Sequence, residues 1–421
     1  SILGNAGKTY ETGMAALILP LGSILGIVLL TKIAGKVRAF EKFTVPEILG
    51  DRFGPGARML SVIALVIAYI VIVSYQFNAG GAVLNTVLMD ETGNSLISIQ
   101  TGTIIAAIFI IAYTMLAGLV SVAYTDVANG IIIIFSFVIS IPIFLAQAGG
   151  FSGMAASFEA MGKPEHMNFF GVYSTMDIIN FCLPPFLLIM GDANMYQRFF
   201  ASKDAKGAQQ ATKVLIFAVL LAELMIIFSA WVTSSMIPDA EVGKYVLIYA
   251  AHKLLPTFLG AIMMTTIVGI IISTADSFLL VPTTTLMRDV YLNYINPNAD
   301  EKKIVLLSRL LVLGLGIIAY IVSLGFAKSA GFFERALYAY TIYGAAITPS
   351  LVAALFWKGA TKEGAVASII TGTVTTLLWK EAAFIQTIIP QNIYNNMDEV
   401  LPAITLSVVS LVVVSLFTKK N

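Results

Sequence analysis

Charged residues are scarce in this sequence: they make up 12% of the 421 residues, whereas 58% are hydrophobic. Soluble domains are usually about one-quarter charged. The composition therefore excludes an ordinary soluble globular domain. Several apolar runs exceed the roughly 18–20 residues that cross a bilayer as a helix. The sequence predicts an all-α polytopic membrane protein.

Cysteine and basic clusters are scarce as well. Cys182 is the sole cysteine, so an intrachain disulfide is impossible and a thiolate metal site is not expected. A formal net charge of +1 without a basic block indicates no nucleic-acid partner. The sequence contains no nucleophile–base pair, metal-ligand spacing, phosphate-binding loop or redox motif, and nothing in it indicates an enzyme.

Apolar windows bounded by charges or turn residues predict eleven full spans. They cover residues 13–34, 57–87, 96–118, 122–147, 173–199, 211–236, 257–291, 304–327, 335–357, 363–384 and 400–417. If the start of the chain lies outside, most of the 25 Lys and Arg residues fall in the inner loops, as the positive-inside rule requires. The C-terminus is then cytoplasmic.

The remaining segments complete the predicted organisation. The chain opens with SILGNAGKTYETG, polar and without a methionine, which indicates an N-terminal truncation of one domain over 1–421. FTVPEILGDRFG predicts a short interfacial helix, with Thr44 as its cap and Glu47 completing a capping box. Residues 151–163 predict an amphipathic surface helix. His166 and His252 fall in outer loops, where we expect them to be solvated.

Ionisable residues inside spans usually face the bundle interior and mark ion or substrate paths. In ISTADSFLL, Ser273, Thr274, Asp276 and Ser277 share one broad helical face with the carbonyl of Ile270. Oxygen ligands without nitrogen or sulfur suit a hard alkali cation. The alternative is that the hydroxyls bond to the preceding turn and only assist helix packing.

Three further acids lie in or near spans. Asp126 stands near the cytoplasmic end of its span, where it is either an ion ligand or an acid favoured by the helix dipole. Asp192 follows Pro184, Pro185 and Gly191, which predict a helix broken or bent between Pro184 and Gly191. Such breaks form transporter substrate platforms, although proline kinks also occur without any ligand. Glu223 is either a protonated carboxyl bonded to a neighbour or part of a proton relay.

These motifs resemble the sodium:solute symporter family, which includes bacterial sodium/proline, sodium/galactose and sialic acid transporters. The resemblance covers essentially the whole chain. It is carried by FTVPEILGDRFG, AGLVSVAYTDVANG, GDANMYQRFFASKD, STADSFLL followed by RDVY, and YGAAITPSLVAALFWKGATKEGA. It implies a leucine-transporter-like fold of two inverted five-helix repeats. Eleven full spans would accompany the remnant of a broken first core helix, whose front half would precede Ser1.

The resemblance also implies sites. Its main sodium site matches Ile270, Ser273 and Thr274, and a second sodium or proton site matches Asp126, Asp276 and Ser277 together with Ser273. The positions of the galactose transporter's aromatic gate and sugar-binding glutamate fall near Leu188 or Ile189 and near Pro20, which argues against sugar. The positions of the proline transporter's aromatic pair fall at about Pro185 and Ile189, which are not aromatic, so the resemblance does not single out proline either. Candidate solute-binding residues are Ser23, Gln76, Gly191, Tyr340 and Tyr343.

The predicted function is therefore sodium-coupled import of a small organic solute by alternating access, an amino acid or carboxylic acid rather than a sugar. The expected partners are sodium ions, the solute and the lipid bilayer of the plasma membrane. The alternatives are a membrane sensor module or a proton-coupled transporter on the same fold.

Overall fold

The computed structural model describes residues 2–40, 42–89, 94–116, 119–239, 243–326 and 331–419. These residues are almost entirely helical and contain no strand, only one isolated bridge between Met89 and Ser95. The ends of two predicted spans, at 117–118 and 327, and the terminal residues 1 and 420–421 lie outside the described residues.

Within the described residues, the first half of the chain forms ten helices. They are α1 Ile2–Thr12, α2 Pro20–Arg38, α3 Val45–Phe53, α4 Pro55–Val87, α5 Ile99–Leu116, α6 Leu119–Gln147, α7 Gly150–Ala160, α8 Thr175–Gly191, α9 Ala193–Ala201 and α10 Ala205–Ser234. Short 3-10 segments, Gly13–Ile18 and Pro164–Met167, join α1 to α2 and follow α7.

The second half continues the helical pattern. Its helices are α11 Val246–Lys253, α12 Thr257–Thr285, α13 Glu301–Phe326, α14 Phe332–Phe356, α15 Lys362–Glu381, α16 Ile385–Ile388, α17 Gln391–Tyr394 and α18 Val400–Thr418. A π-helical segment, Leu286–Ile295, extends α12 at its C-terminal end.

Ten helical segments among the described residues are long and apolar enough to cross a membrane. Each overlaps one of the predicted spans. The remaining prediction, 363–384, coincides with α15, which is helical over 20 residues but is diluted by threonines, glycines and two charges at each end. The count of eleven spans therefore stays a prediction.

Two packed groups of helices form the body of the protein. In one group, α10 packs against α1 and α2, and α2 packs against α8. In the other, α4 packs against α5, α12 and α13. Two helices bridge the groups, because α6 contacts both α10 and α12 and α14 contacts both α8 and α4. The contacts of these two bridging helices form the junctions between the groups.

The helix containing the two prolines breaks at a single residue. The chain is helical from Thr175 through Pro184 and Pro185 to Gly191, and leaves the helical region at Asp192, with φ −59° and ψ 108°. The break lies just beyond the predicted stretch of 184–191. Asp192 sets its position, because its side chain accepts a hydrogen bond from the backbone N–H of Asn194 and so starts α9.

The short surface helices match the expected segments. Thr44 caps α3, because its hydroxyl accepts from the N–H of Glu47 at 3.0 Å. The Glu47 carboxylate accepts from the N–H of Phe43 and not from that of Thr44. The predicted capping box is therefore only half formed. α7 occupies most of the predicted 151–163 helix and buries Met154 and Phe158, one turn apart. Such spacing gives a helix one apolar face.

The expectation of a solvated His166 is wrong. Its side chain is buried, at 2% exposed, and its ring Nε2 lies 3.1 Å from the carbonyl oxygen of Glu11. Burial, with Lys163 nearby, lowers the pKa of His166. His252 is half-buried, and burial lowers its pKa as well. The indole N–H of Trp231 in α10 donates to the carbonyl of His166 at 2.9 Å, so the segment around His166 packs against the bundle and its place in a predicted loop did not mean exposure.

Candidate ion and solute sites

The polar face of α12 meets α6 at the crossing of the two helices. Ser273 donates a short hydrogen bond to Oδ1 of Asp126. One turn closer to the N-terminus of α12, the Asn129 amide donates to the carbonyl of Gly269 at 3.4 Å. The predicted approach of the helix carrying Ser273 to the helix carrying Asp126 is thus present.

Asp276 is the most unusual residue of this cluster. Its side chain is 1% exposed, and neither carboxylate oxygen has a hydrogen-bond partner among the described residues. It lies within electrostatic range of Asp126 and Arg198. A buried carboxylate without a partner is costly in a low-dielectric interior. A desolvated alkali cation would supply the missing positive charge, so this donor set suits such an ion.

Ile270 and Thr274 bond to each other within α12. The Thr274 hydroxyl donates to the Ile270 carbonyl at 2.8 Å, the common back-bond of threonine in a helix. The bond uses the hydroxyl proton and one carbonyl lone pair. The threonine oxygen and the carbonyl oxygen both keep lone pairs, so the back-bond is compatible with cation ligation.

Arg198 of α9 brings a positive charge to the same cluster. Its Nη2 lies 2.7 Å from Oδ2 of Asp126 and 3.4 Å from the Ser277 hydroxyl oxygen. The guanidinium is anchored further by the carbonyl and side-chain oxygens of Asn194. Asp126 is therefore already neutralised by Arg198, and a second cation at Asp126 and Ser277 requires this side chain to move.

The helix break between α8 and α9 is satisfied by hydroxyl groups from neighbouring helices. Tyr69 donates to Oδ1 of Asp192 at 2.6 Å, and Tyr343 donates to the carbonyl of Gly191 at 2.6 Å. Thr348 donates to the carbonyl of Leu187 at 2.7 Å. Two candidate solute residues, Gly191 and Tyr343, are thus bonded to each other in a packed region.

A small cavity of about 50 Å³ lies between α1, α2, α8, α10 and α14. It contains two of the five candidate solute residues, Ser23 and Tyr340. Ser23 donates to the carboxylate of Glu223 at 3.0 Å. The hydrogen-bonding neighbour of Glu223 therefore lies on another helix, α2. Gln76 is buried, and it is not among the described residues that line this cavity.

The α2 and α8 walls of this region approach closely. A Cβ atom on Gly22 would overlap the backbone carbonyl of Cys182, and one on Gly26 would lie 2.9 Å from the Ile189 side chain. Small residues at such crossings allow membrane helices to pack backbone to backbone. The close packing fixes the position of Ser23 relative to the broken helix.

A larger cleft of about 760 Å³ lies next to the small cavity. The two spaces share Gly4 and Phe333. Phe181 and Phe333 meet edge to face with ring centroids 5.4 Å apart, and the Lys8 ammonium lies over both rings, at 5.1 and 5.8 Å. Lys8 and Phe333 line the cleft, and Phe181 and Phe333 line the cavity.

Sequence reasoning missed Lys8, Phe181 and Arg198. Lys8 belongs to the polar opening segment, and Arg198 lies at the end of the predicted span 173–199. The sequence signal for Arg198 is its position in GDANMYQR, six residues after Asp192. This spacing places Arg198 within two helical turns of the break. Nothing in the local sequence marks Lys8.

Helices in two groups, two bridging helices, a broken helix and oxygen-rich crossings define the class of secondary transporters. The sequence profile described as the sodium:solute symporter family matches residues 1–372. The chain belongs to this family. It is a multi-pass plasma membrane protein, sodium is its coupling ion, and its cargo is a small organic solute.

Characterised relatives cover nearly the whole chain. The high-affinity proline transporter PutP of Bacillus subtilis is 26% identical over 99% of this chain and 87% of its own length. The osmoregulated proline transporter OpuE of the same organism is 24% identical over 100% and 84%. The sodium/proline symporter of Haemophilus influenzae is also 24% identical, over 100% and 84%.

Solved structures agree on the fold. A sodium-coupled sialic acid symporter in a substrate-bound outward-open state aligns with a TM-score of 0.75 at 15% identity, over 99% of this chain and 86% of that one. Mhp1, a nucleobase-cation-symport-1 family transporter, aligns with a TM-score of 0.60 at 11% identity, over 99% and 89%. The predicted leucine-transporter-like fold is confirmed.

Proposed function

We propose that this symporter imports a small amino acid or carboxylic acid together with sodium by alternating access. The observation that carries the proposal is Asp276, buried on α12 with two unpartnered carboxylate oxygens beside Ser273 and Asp126. A site of this kind, at the junction of the two helix groups, links ion binding to their relative position. The proline transporters among the relatives support an amino acid as cargo.

The main sodium site in this proposal consists of the Ile270 carbonyl and the hydroxyls of Ser273 and Thr274. Asp126, Asp276 and Ser277 form the second site, for a further sodium ion or a proton. Because Arg198 bonds to Asp126 and approaches Ser277, filling the second site requires the guanidinium to withdraw. Arg198 and the second cation therefore exclude each other.

The solute site in this proposal is centred on the cavity that contains Ser23 and Tyr340. Gly191 and Tyr343 support it from the helix break, since their mutual hydrogen bond holds the end of α8 against α14. Gln76 is retained as a candidate from α4. The whole chain acts as one transport domain with a cytoplasmic C-terminus, and it carries out transport without chemical conversion of the solute.

The test is uptake into proteoliposomes with an inward sodium gradient. Radiolabelled L-proline, L-alanine, propionate and D-galactose would be offered separately. We expect accumulation of an amino or carboxylic acid that stops when potassium replaces sodium or when an ionophore collapses the gradient. Liposomes without protein are the control. Sodium-independent uptake, or uptake of galactose alone, would refute the proposal.

A further inference from the structure

We propose that Arg198 takes the place of the second cation while the ion-free carrier returns, so that Asp126 keeps a positive partner throughout the transport cycle. This role rests on the proposed function, because it concerns the second site at Asp126 and Ser277. It makes the mutual exclusion of the guanidinium and the cation a step of transport.

Arg198 reaches the second site with a single atom. Its Nη2 lies 2.7 Å from Oδ2 of Asp126 and 3.4 Å from the Ser277 hydroxyl oxygen. Both oxygens belong to the proposed ligand set, and the other oxygen of Asp126 accepts from Ser273. Like charges a few ångströms apart repel each other. The guanidinium and a sodium ion are therefore alternative occupants of the same position.

The acids at this crossing need a positive charge at every stage of the cycle. Asp276 is buried, neither of its oxygens has a hydrogen-bond partner among the described residues, and Asp126 is within electrostatic range. Two carboxylates near each other in a poorly solvated place are costly without a cation. Arginine keeps its charge under all physiological conditions. Arg198 can therefore supply that charge whenever the sodium ion has left.

The contacts of Arg198 also allow it to withdraw. The side chains of Arg198 and Asp126 are 33% and 25% exposed, so solvent reaches the ion pair and its exchange for another cation is cheap. The remaining anchors of the guanidinium are the carbonyl and side-chain oxygens of Asn194, one turn earlier on the same helix. Because these anchors move with α9, losing Asp126 and Ser277 releases the guanidinium from α6 and α12.

The position of α9 links this exchange to the motion of the helix groups. α9 starts at the break at Asp192 and packs against α2 and α10 of the first group and α12 of the second. Its ion pair with Asp126 adds a contact to the bridging helix α6. Sodium binding removes this contact and loosens the junction, whereas the return of Arg198 restores it. The junction is therefore closed by arginine only in the ion-free carrier.

Two modes of transport separate the return step from the others. Exchange, measured with equal sodium and solute concentrations on both sides of the proteoliposome membrane, requires only the loaded carrier to move. Net uptake under a sodium gradient also requires the ion-free carrier to return. The labelled probe is L-proline, L-alanine or propionate, whichever the wild type accumulates with sodium.

Arg198→Gln should lower net uptake about tenfold or more while exchange stays within about threefold of the wild type, because only the ion-free carrier has lost its cation. The sodium concentration for half-maximal exchange should fall about threefold, since the competing guanidinium no longer occupies the site. Arg198→Lys keeps the charge without the guanidinium fork and should recover part of net uptake. The control, Arg309→Gln, removes an exposed arginine of α13 and should leave both modes unchanged.

The sodium-induced rise in melting temperature shows that a variant is folded, and if Arg198→Gln does not fold, Arg198→Lys decides by the same comparison. Wild-type net uptake in folded Arg198→Gln would overturn the role of Arg198. Equal losses of net uptake and exchange, or an unchanged sodium dependence of exchange, would also overturn it, because a purely structural arginine gives those results. If the wild type accumulates none of the probes with sodium, the proposed function itself fails.

Discussion

Asp192 and Asp276 are both buried within the helix bundle, at 3% and 1% exposed, yet their surroundings differ completely. Asp192 accepts hydrogen bonds from the Tyr69 hydroxyl and the Asn194 N–H. Asp276 has no hydrogen-bond partner for either oxygen among the described residues. Burial alone therefore does not distinguish a structural acid from an ion ligand. The difference between the two residues is that the carboxylate oxygens of Asp276 have unsatisfied hydrogen-bonding capacity, whereas Asp192 is hydrogen-bonded.

The difference follows from where each residue stands. Asp192 occupies the break between α8 and α9, where unbonded backbone groups need capping and hydroxyls from α4 and α14 converge. Asp276 lies inside a continuous helix whose backbone groups are already bonded to one another. In the function we propose, a cation is the partner of Asp276, so the break serves as scaffold and the α12 face as the binding surface.

The largest expected effect tests the binding surface. Replacing Ser273 and Thr274 together by alanine removes two oxygen ligands, each worth about 1.5–3 kcal/mol to a cation. The sodium concentration for half-maximal uptake should rise at least tenfold. Thr265→Ala is the matched control, because Thr265 makes the same back-bond, to Ala261, on an exposed part of α12. Wild-type sodium dependence in the double variant would contradict the assignment.

The second prediction compares the two aspartates directly, by unfolding in detergent without sodium. Asp192→Ala leaves the Tyr69 hydroxyl and the Asn194 N–H without their acceptor, and should lower the free energy of unfolding by about 1–3 kcal/mol. Asp276→Ala removes a buried group that has no partner, so stability should be unchanged or higher. If both substitutions lowered the free energy of unfolding equally, the proposed difference between a hydrogen-bonded Asp192 and an unpartnered Asp276 would be refuted.

A third prediction concerns competition between sodium and protons. Protonation and cation binding neutralise the same unpartnered carboxylate, so lowering the pH should raise the sodium concentration that uptake requires. Asp276→Asn should remove most of this pH effect, and Asp126→Asn should do so if the two acids share the ion. Sodium titrations of uptake at two pH values in all three proteins provide the measurement. An unchanged response in both variants would refute a shared site.

The smallest expected effect lies away from both aspartates, at His166. Burial lowers the pKa of His166 below its ordinary value of 6.5, so the unfolded chain binds a proton more readily than the folded one. The contribution of His166 to the free energy of unfolding is therefore fully present above pH 6.5. It is lost as the pH falls from 6.5 toward the lower pKa of the folded state. Melting temperatures at pH 7.5 and 5.5 should differ less in His166→Gln than in the wild type. If the difference in melting temperature between the two pH values were the same in both proteins, a group other than His166 would cause it.

Local chemistry made much of the architecture predictable. Long apolar runs have few alternatives to spanning helices, because backbone groups must be bonded internally in hydrocarbon. The hydroxyls and carboxylate of 273–277 share a face through helical periodicity alone. The cap at Thr44 and a break close to Pro184 and Gly191 also arise from interactions within a few residues.

The sequence by itself thus determined the membrane class, most helices and the oxygen-rich face of α12. Only the tertiary structure decided which polar groups form hydrogen bonds and ion pairs with each other. Ser273 meets Asp126 across 147 residues, Arg198 reaches Asp126 across 72, and Ser23 reaches Glu223 across 200. Such pairs depend on how helices cross, and helix packing leaves no periodic signal in either partner. For the same reason, the burial of His166 and the placing of Lys8 over two rings became visible only in the folded chain.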